Sequence, residues 1–87
     1  MIMNINKPEI LNNLCYTKLV YGRINKKLKT RLSKNEIEEM LYKIIAETKE
    51  LYFERIEKNI YVNSFNNHIR ITINANTFRI ITVDELF

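Results

Sequence analysis

The chain has 87 residues, of which 46% are hydrophobic and 28% charged, with one glycine, one proline and one cysteine. A chain of this length supports one domain, so we expect residues 1–87 to form a single compact unit with a frayed segment at Met1–Asn6. One cysteine excludes an internal disulfide, and one cysteine with one histidine excludes a four-ligand zinc site. Because the sequence has no long apolar run, we predict neither a signal peptide nor a membrane-spanning helix. We therefore expect a cytoplasmic protein.

The net charge of +4 is unevenly distributed along the chain. Residues 18–34, called the basic segment below, hold half of the 14 cations and no carboxylate: Lys18, Arg23, Lys26, Lys27, Lys29, Arg31 and Lys34. Residues 36–57 instead hold seven carboxylates against three cations. We therefore expect an electrically polarised domain.

A first helix is predicted to begin at Lys7 or Pro8, because proline is tolerated in a first helical turn. Apolar residues recur behind it at helical spacing, namely Ile10, Leu14, Tyr21, Ile24 and Leu28. Leu19 falls opposite this stripe, and Gly22 costs about 1 kcal/mol in a helix interior. We interpret the segment as one helix, with two shorter helices broken near Tyr16–Thr17 as the alternative.

A second helix is predicted to begin at Ser33. Ser33 and Glu36 have the spacing of a capping box, and Leu32 and Ile37 have that of a hydrophobic staple. An apolar stripe follows, formed by Ile37, Met40, Leu41, Ile44, Ile45, Thr48 and Leu51. We expect this helix to end at about Lys49–Tyr52.

After Phe53 the apolar period changes from 3.6 to 2, which predicts strands. The strands lie around Ile60–Asn63, Ile69–Asn74 and Thr77–Val83, with a turn at Ala75–Asn76. This turn would place Ile73 opposite Phe78, Ile71 opposite Ile80, and Ile69 opposite Thr82. The predicted fold is α+β, with two helices packed on one face of a three-stranded antiparallel meander in the order ααβββ.

The outer face of that sheet is predicted to mix cations with apolar side chains. By this register it carries Arg70, Thr72, Arg79, Ile81 and Val83. Such a mixture is unusual for a surface that meets only water, so the face is a candidate contact surface. The alternative is that Leu86–Phe87 or Phe53–Ile56 folds over it.

Several short motifs resemble a family of short bacterial proteins catalogued as a domain of unknown function. They are Thr17-Lys18-Leu19, Arg23-Ile24, Leu28, Lys58-Asn59-Ile60-Tyr61, and Ile71-Thr72-Ile73-Asn74-Ala75 followed by Ile80-Ile81-Thr82. The chain departs from the family pattern at Val20 and Glu57, where the pattern carries glycine, and at Lys27, Ile60 and Val83, where it carries asparagine, tryptophan and alanine. The resemblance implies a small bacterial or phage accessory protein and brings no activity with it.

Catalytic chemistry has little support in the sequence. Cys15 and His68 are the available nucleophile and base, and we expect them to lie apart, with Cys15 on an early helix and His68 in a solvated turn. Glu50, Glu54 and Glu57 are expected to form a solvated acidic face. We therefore predict that the protein is not an enzyme and has no cofactor and no metal site.

Binding of a macromolecule is better supported. We predict a module that binds a protein partner with an acidic surface and regulates or inhibits it; inhibition of a defence nuclease is one version. The residues predicted to bind the partner are Arg23, Lys26, Lys27, Arg70, Thr72, Arg79 and Ile81. The alternative is direct RNA or DNA binding through the basic segment with Arg70 and Arg79. We also consider a homodimer through the outer face, strand addition at the last strand, and a purely solubilising role for the cations. No membrane partner is expected.

Overall fold

A computed structural model describes residues 5–86 and shows a mixed α+β fold with three helices and a four-stranded antiparallel sheet. The helices are α1 (Lys7–Asn13), α2 (Val20–Leu28) and α3 (Lys34–Glu47), followed by a short 3-10 turn at Glu50–Tyr52. The strands are β1 (Phe53–Ile56), β2 (Asn59–Ser64), β3 (Ile69–Asn74) and β4 (Ile80–Glu85), and they lie side by side in chain order. The α+β class is confirmed, while the predicted counts of two helices and three strands are wrong.

The predicted first helix is divided into α1 and α2, as the alternative interpretation has it. Its start is confirmed at Lys7, where the Asn6 side chain accepts a hydrogen bond from the Glu9 N–H. The break arises because Cys15 pairs as a strand with Arg79: the Cys15 N–H donates to Phe78 and the Cys15 carbonyl accepts from Ile80. Because an extended residue cannot continue a helix, α1 ends before Cys15, and the next helix, α2, begins at Val20. Residues 1–4 of the segment predicted to fray lie outside the described residues.

The second predicted helix is α3, and its capping box is confirmed. The Ser33 hydroxyl accepts from the Glu36 N–H at 3.1 Å, and the Glu36 carboxylate accepts from the Ser33 N–H at 2.8 Å. That second hydrogen bond lowers the pKa of Glu36 below its usual value. The helix ends at Glu47, earlier than predicted, and Thr48 is its extended C-cap.

Lys7 ties the start of α1 to the end of α3. Its Nζ donates to the carbonyls of Ala46 and Thr48 at 3.0 and 2.6 Å, and it lies 5.7 Å from the centroid of the Phe53 ring. The last carbonyls of a helix have no partner within the helix and carry partial negative charge, so a cation there is stabilising. None of the helices within residues 5–86 is long and apolar enough to cross a membrane.

Strand β1 is the element that the sequence pattern missed. It pairs antiparallel with β2 across the two-residue turn Glu57–Lys58, with Ile56 opposite Asn59. Only Phe53 of its four residues is buried, so the strand lacks a regular alternation of apolar and polar residues. The segment that could have covered the outer face therefore extends the sheet.

The predicted register of the last hairpin is wrong. Ile71 lies opposite Val83 and Ile73 opposite Ile80, with a bulge between Thr72 and Ile73 and with Ile81 as the extra residue. The turn is longer than two residues because the Asn74 side chain accepts hydrogen bonds from the N–H groups of Asn76 and Thr77, at 2.8 and 2.9 Å.

The core lies between the helices and one face of the sheet, the inner face. The helices contribute Ile10, Val20, Ile24, Ile37, Leu41, Ile44 and Ile45, and the sheet contributes Phe53, Ile60, Val62, Ile69, Ile71, Ile73, Ile80 and Val83. On each strand, the side chains that alternate with these core residues point to the opposite face of the sheet. The helices therefore leave the opposite face, the outer face, uncovered.

Candidate binding surface

Helix α2 lies along the outer edge of β4. The Arg23 Nη1 donates to the Ile81 carbonyl at 3.3 Å, and the Lys27 Nζ forms an ion pair with the Asp84 Oδ1 at 2.8 Å. Arg23 and Lys27 are four residues apart and so lie on neighbouring turns of α2. The helix and the strand thus run in the same direction, and the basic segment extends along one side of the sheet.

The solvent side of α2 carries a shallow basic groove. Gly22, Arg23, Lys26 and Lys27 line it, and its volume is about 570 Å³. All four residues are exposed, and within residues 5–86 the Lys26 ammonium has no hydrogen-bond or ion-pair partner. The groove therefore offers positive charge at the surface: Lys26 is free, and Arg23 and Lys27 beside it are bound to β4.

Asn25 holds the carboxyl end of α2 against the start of α3. Its Oδ1 accepts from the Leu32 N–H and the Thr30 hydroxyl, and its Nδ2 donates to the Leu32 carbonyl. Lys29 ends the helix in the left-handed conformation with φ of 58°. The basic groove consequently lies on a helix whose end is fixed by hydrogen bonds.

A tyrosine pair holds the amino end of α2. Tyr21 stacks on Tyr16 with ring centroids 5.3 Å apart, and its hydroxyl donates to the Glu38 carboxylate at 2.6 Å. This hydrogen bond is the main cause that raises the pKa of Tyr21 to about 12. Burial raises the pKa of Tyr16 well above its usual value. Lys34 lies over the Tyr21 ring at 5.4 Å, so α2 and α3 are held together by polar and aromatic contacts.

Arg70 lies at the centre of a polar network on the outer face. Its Nε donates to the Asn63 Oδ1 at 2.7 Å, and its guanidinium lies 5.7 Å from the centroid of the Tyr61 ring. The Asn63 Nδ2 donates in turn to the Glu54 carboxylate at 3.0 Å. Asp84 lies opposite Arg70 in the register and forms an ion pair with Lys27 of α2, so the Arg70 network lies beside the contact between α2 and β4.

The outer face is not the apolar and basic mixture that the sequence predicted. Val83 has no exposed surface and belongs to the core, and Thr72 is only 5% exposed. Ile81 is half-buried in the bulge, and Arg79 precedes β4 beside Cys15 instead of lying opposite Thr72. The register shift explains the positions of Val83, Ile81 and Arg79; Thr72 shares the outer face with Arg70 as expected, but its neighbours cover it.

The predicted site residues therefore fall into three groups. Arg23, Lys26 and Lys27 are together on α2, and Arg70 lies in the register position opposite Asp84, the ion-pair partner of Lys27. Arg79 lies at the opposite end of β4 from Asp84. Thr72 and Ile81 offer little side-chain surface.

Strand addition at β4 is disfavoured by what lies beside it. The backbone of Cys15 forms hydrogen bonds with the Phe78 carbonyl and the Ile80 N–H at the start of β4, and α2 covers the remaining length of the strand. A sheet edge that is covered by a helix cannot form backbone hydrogen bonds with an added strand.

The structure keeps Cys15 and His68 at opposite ends of β3. Cys15 lies beside Arg79, whose carbonyl accepts from Asn74 at the end of β3, and His68 directly precedes Ile69 at its start. Cys15 is exposed and outside a helix, contrary to the prediction, and His68 is an exposed turn residue. Residues 5–86 contain no cluster of three metal-ligating side chains.

Sequence reasoning missed Leu19, which is 79% exposed. Leu19, Gly22, Arg23 and Lys26 have the spacing i, i+3, i+4 and i+7, so they share the side of α2 opposite the buried Val20 and Ile24. The signal was present, because Leu19 lies off the apolar stripe and Gly22 interrupts a helix.

The comparisons with known proteins agree with this picture of a small domain without assigned chemistry. No curated protein and no solved structure matched the chain. A family model described as "Protein of unknown function (DUF3781)" matches residues 9–84, from α1 to β4. The chain therefore belongs to the DUF3781 family of proteins of unknown function.

Proposed function

We propose that the protein acts by binding an acidic protein partner through the solvent side of α2, without catalysis. The observation that carries this proposal is the basic groove of Gly22, Arg23, Lys26 and Lys27, exposed along a helix whose two ends are fixed. Positive surfaces attract negative ones over several ångströms and speed encounter, which suits recognition of an acidic surface.

The polar network around Arg70 widens this surface. Lys27 and Arg70 flank Asp84, so a partner that reaches past α2 meets a second cation on the outer face. Nucleic acid has less support there, because Tyr61 is half-buried under the Arg70 guanidinium and offers no free ring for a base to stack on. Regulation or inhibition of the partner, and pairing with a second copy, stay predictions.

A pull-down from bacterial lysate, with and without nuclease treatment, tests the proposal. We expect a captured protein that survives nuclease treatment and is lost with Lys26→Glu, because Lys26 is unpaired and its replacement removes charge without breaking a contact. Lys58→Glu is the matched control, since Lys58 is exposed in the turn between β1 and β2.

Two outcomes would contradict the proposal. Capture that disappears with nuclease, together with salt-sensitive binding of random oligonucleotides, would indicate nucleic acid as the partner. Equal loss with Lys26→Glu and Lys58→Glu would show that net charge matters and that the position on α2 does not.

A further inference from the structure

Nothing among residues 5–86 requires glycine at position 22. Its φ is not in the left-handed region, and a Cβ added to it would meet no atom within 4 Å. Glycine lowers the stability of a helix interior relative to alanine, so this residue weakens α2 without improving its packing. The absence of a side chain does leave room for another backbone to approach α2 closely at this position.

Leu19 is a second exposed feature on the same stripe. It lies one turn before Gly22 and Arg23, and its side chain is exposed to solvent at the start of α2. Neither the core nor the ion pair with Asp84 involves it. The stripe therefore presents an apolar side chain, then a gap, then the cations Arg23 and Lys26.

This order of features matches the face of a helix that packs against another helix. A small residue lets the two backbones approach, an apolar residue beside it packs between the side chains of the neighbour, and charges at the border select the partner. Nucleic acid would use the cations alone and would gain nothing from Leu19 or from the gap at Gly22.

We infer that the solvent side of α2 receives an acidic amphipathic helix of a partner protein, which crosses α2 at Gly22. Its apolar residues cover Leu19, and its carboxylates face Arg23 and Lys26. The inference rests on the proposed function and adds to it the kind of segment that is bound.

The binding test uses a fluorescent synthetic helix of about 18 residues, with leucine on one face and glutamate on the other. A scrambled peptide of the same composition and a single-stranded oligonucleotide of similar charge are the comparison probes. We expect the amphipathic peptide to bind at least about tenfold more tightly than the scrambled one.

Gly22→Met is the decisive variant. Methionine is a good helix former and has open space at this position, so the protein should fold with equal or higher thermal stability, which circular dichroism checks. We expect it to weaken peptide binding about tenfold or more, and Leu19→Gln to weaken it about fivefold, while Lys58→Glu leaves it unchanged.

Failure of this inference differs from failure of the proposed function. If Gly22→Met binds the peptide as well as the unaltered protein does while Lys26→Glu does not, the proposal that a partner helix crosses α2 at Gly22 is wrong, and the proposal that α2 is a basic binding surface is retained. If the scrambled peptide or the oligonucleotide binds as tightly as the amphipathic peptide, the helix is again wrong. If Lys26→Glu leaves all binding unchanged, both proposals fall.

Discussion

The turn between β1 and β2 stores backbone strain at Glu57. This residue has φ of 53°, in the left-handed region, within the two-residue connection from Ile56 to Asn59. The left-handed conformation costs a residue with a Cβ roughly 1–2 kcal/mol and costs glycine almost nothing. Glycine has the larger unfolded-state entropy, which offsets roughly 0.5–1 kcal/mol of that difference. The difference of these two ranges is roughly 0–1.5 kcal/mol, and we expect Glu57→Gly to raise the free energy of unfolding by about 0.75 kcal/mol, its middle value.

The contacts around the turn survive this change. Arg55 donates its Nε to the Glu57 carbonyl, which glycine retains. Thermal unfolding followed by circular dichroism should show a rise in Tm of about 4–8 °C for each kcal/mol in a domain of this size.

The neighbouring residue supplies the control. Lys58 lies in the same turn, and its φ is not positive, so Lys58→Gly should lower stability by about 0.5–1 kcal/mol. Opposite signs at adjacent positions cannot come from a general effect of glycine on the loop. A fall in Tm for Glu57→Gly, or the same change at both positions, would refute the strain at Glu57.

The remaining predictions concern the elements that hold the groove in place. Lys7→Met should lower the free energy of unfolding by about 1–2 kcal/mol, measured by urea denaturation, because the last carbonyls of α3 lose a charged donor. Val83→Ala should cost about 1–3 kcal/mol in the same assay, because its side chain is in the core; a negligible effect would favour the outer-face register. Gly22→Ala should raise Tm, since the new methyl group has open space. Tyr21 donates to Glu38, and its pKa rises from 10.0 to about 12 on folding, so its contribution to stability is full below pH 10 and is lost as the pH rises to about 12. Tyr21→Phe should therefore show a smaller loss of stability than the unaltered protein across that alkaline range, and an identical pH profile would contradict the role of the hydrogen bond.

Local signals in the sequence predicted the elements whose cause is local. The start of α3 was correct because a capping box depends on side chains three residues apart, Ser33 and Glu36. The alternation at Ile69–Asn74 predicted β3 for the same kind of reason. These interactions are present within a few residues of the chain, so a pattern reveals them.

Features with a distant cause were missed. The extended residue Cys15 ends the first helical segment because it pairs with Arg79, and no local pattern contains that partner. The register of β4 depends on the turn made by the Asn74 side chain and on the bulge at Ile81, which together moved Val83 from the outer face to the core. The candidate site carries the consequence of this error: Arg23, Lys26 and Lys27 lie together on α2 as its sequence pattern indicated, whereas Ile81 and Arg79 do not lie on the predicted face of the sheet.

The two edges of the sheet explain why α2 is the better place for a partner. At β4 the edge is covered by Cys15 and α2, whereas at β1 it has no paired neighbour among residues 5–86. Strand β1 has only four residues, with Glu54 and Arg55 at its centre. Two copies that joined this edge by antiparallel pairing must match residues on the same face, and the two registers with the most overlap set Glu54 against Glu54 or Arg55 against Arg55, which is repulsive. A partner that avoids both edges still finds the solvent side of α2, which carries the exposed Leu19 and an unpaired Lys26 on a helix that the sheet edge holds rigidly.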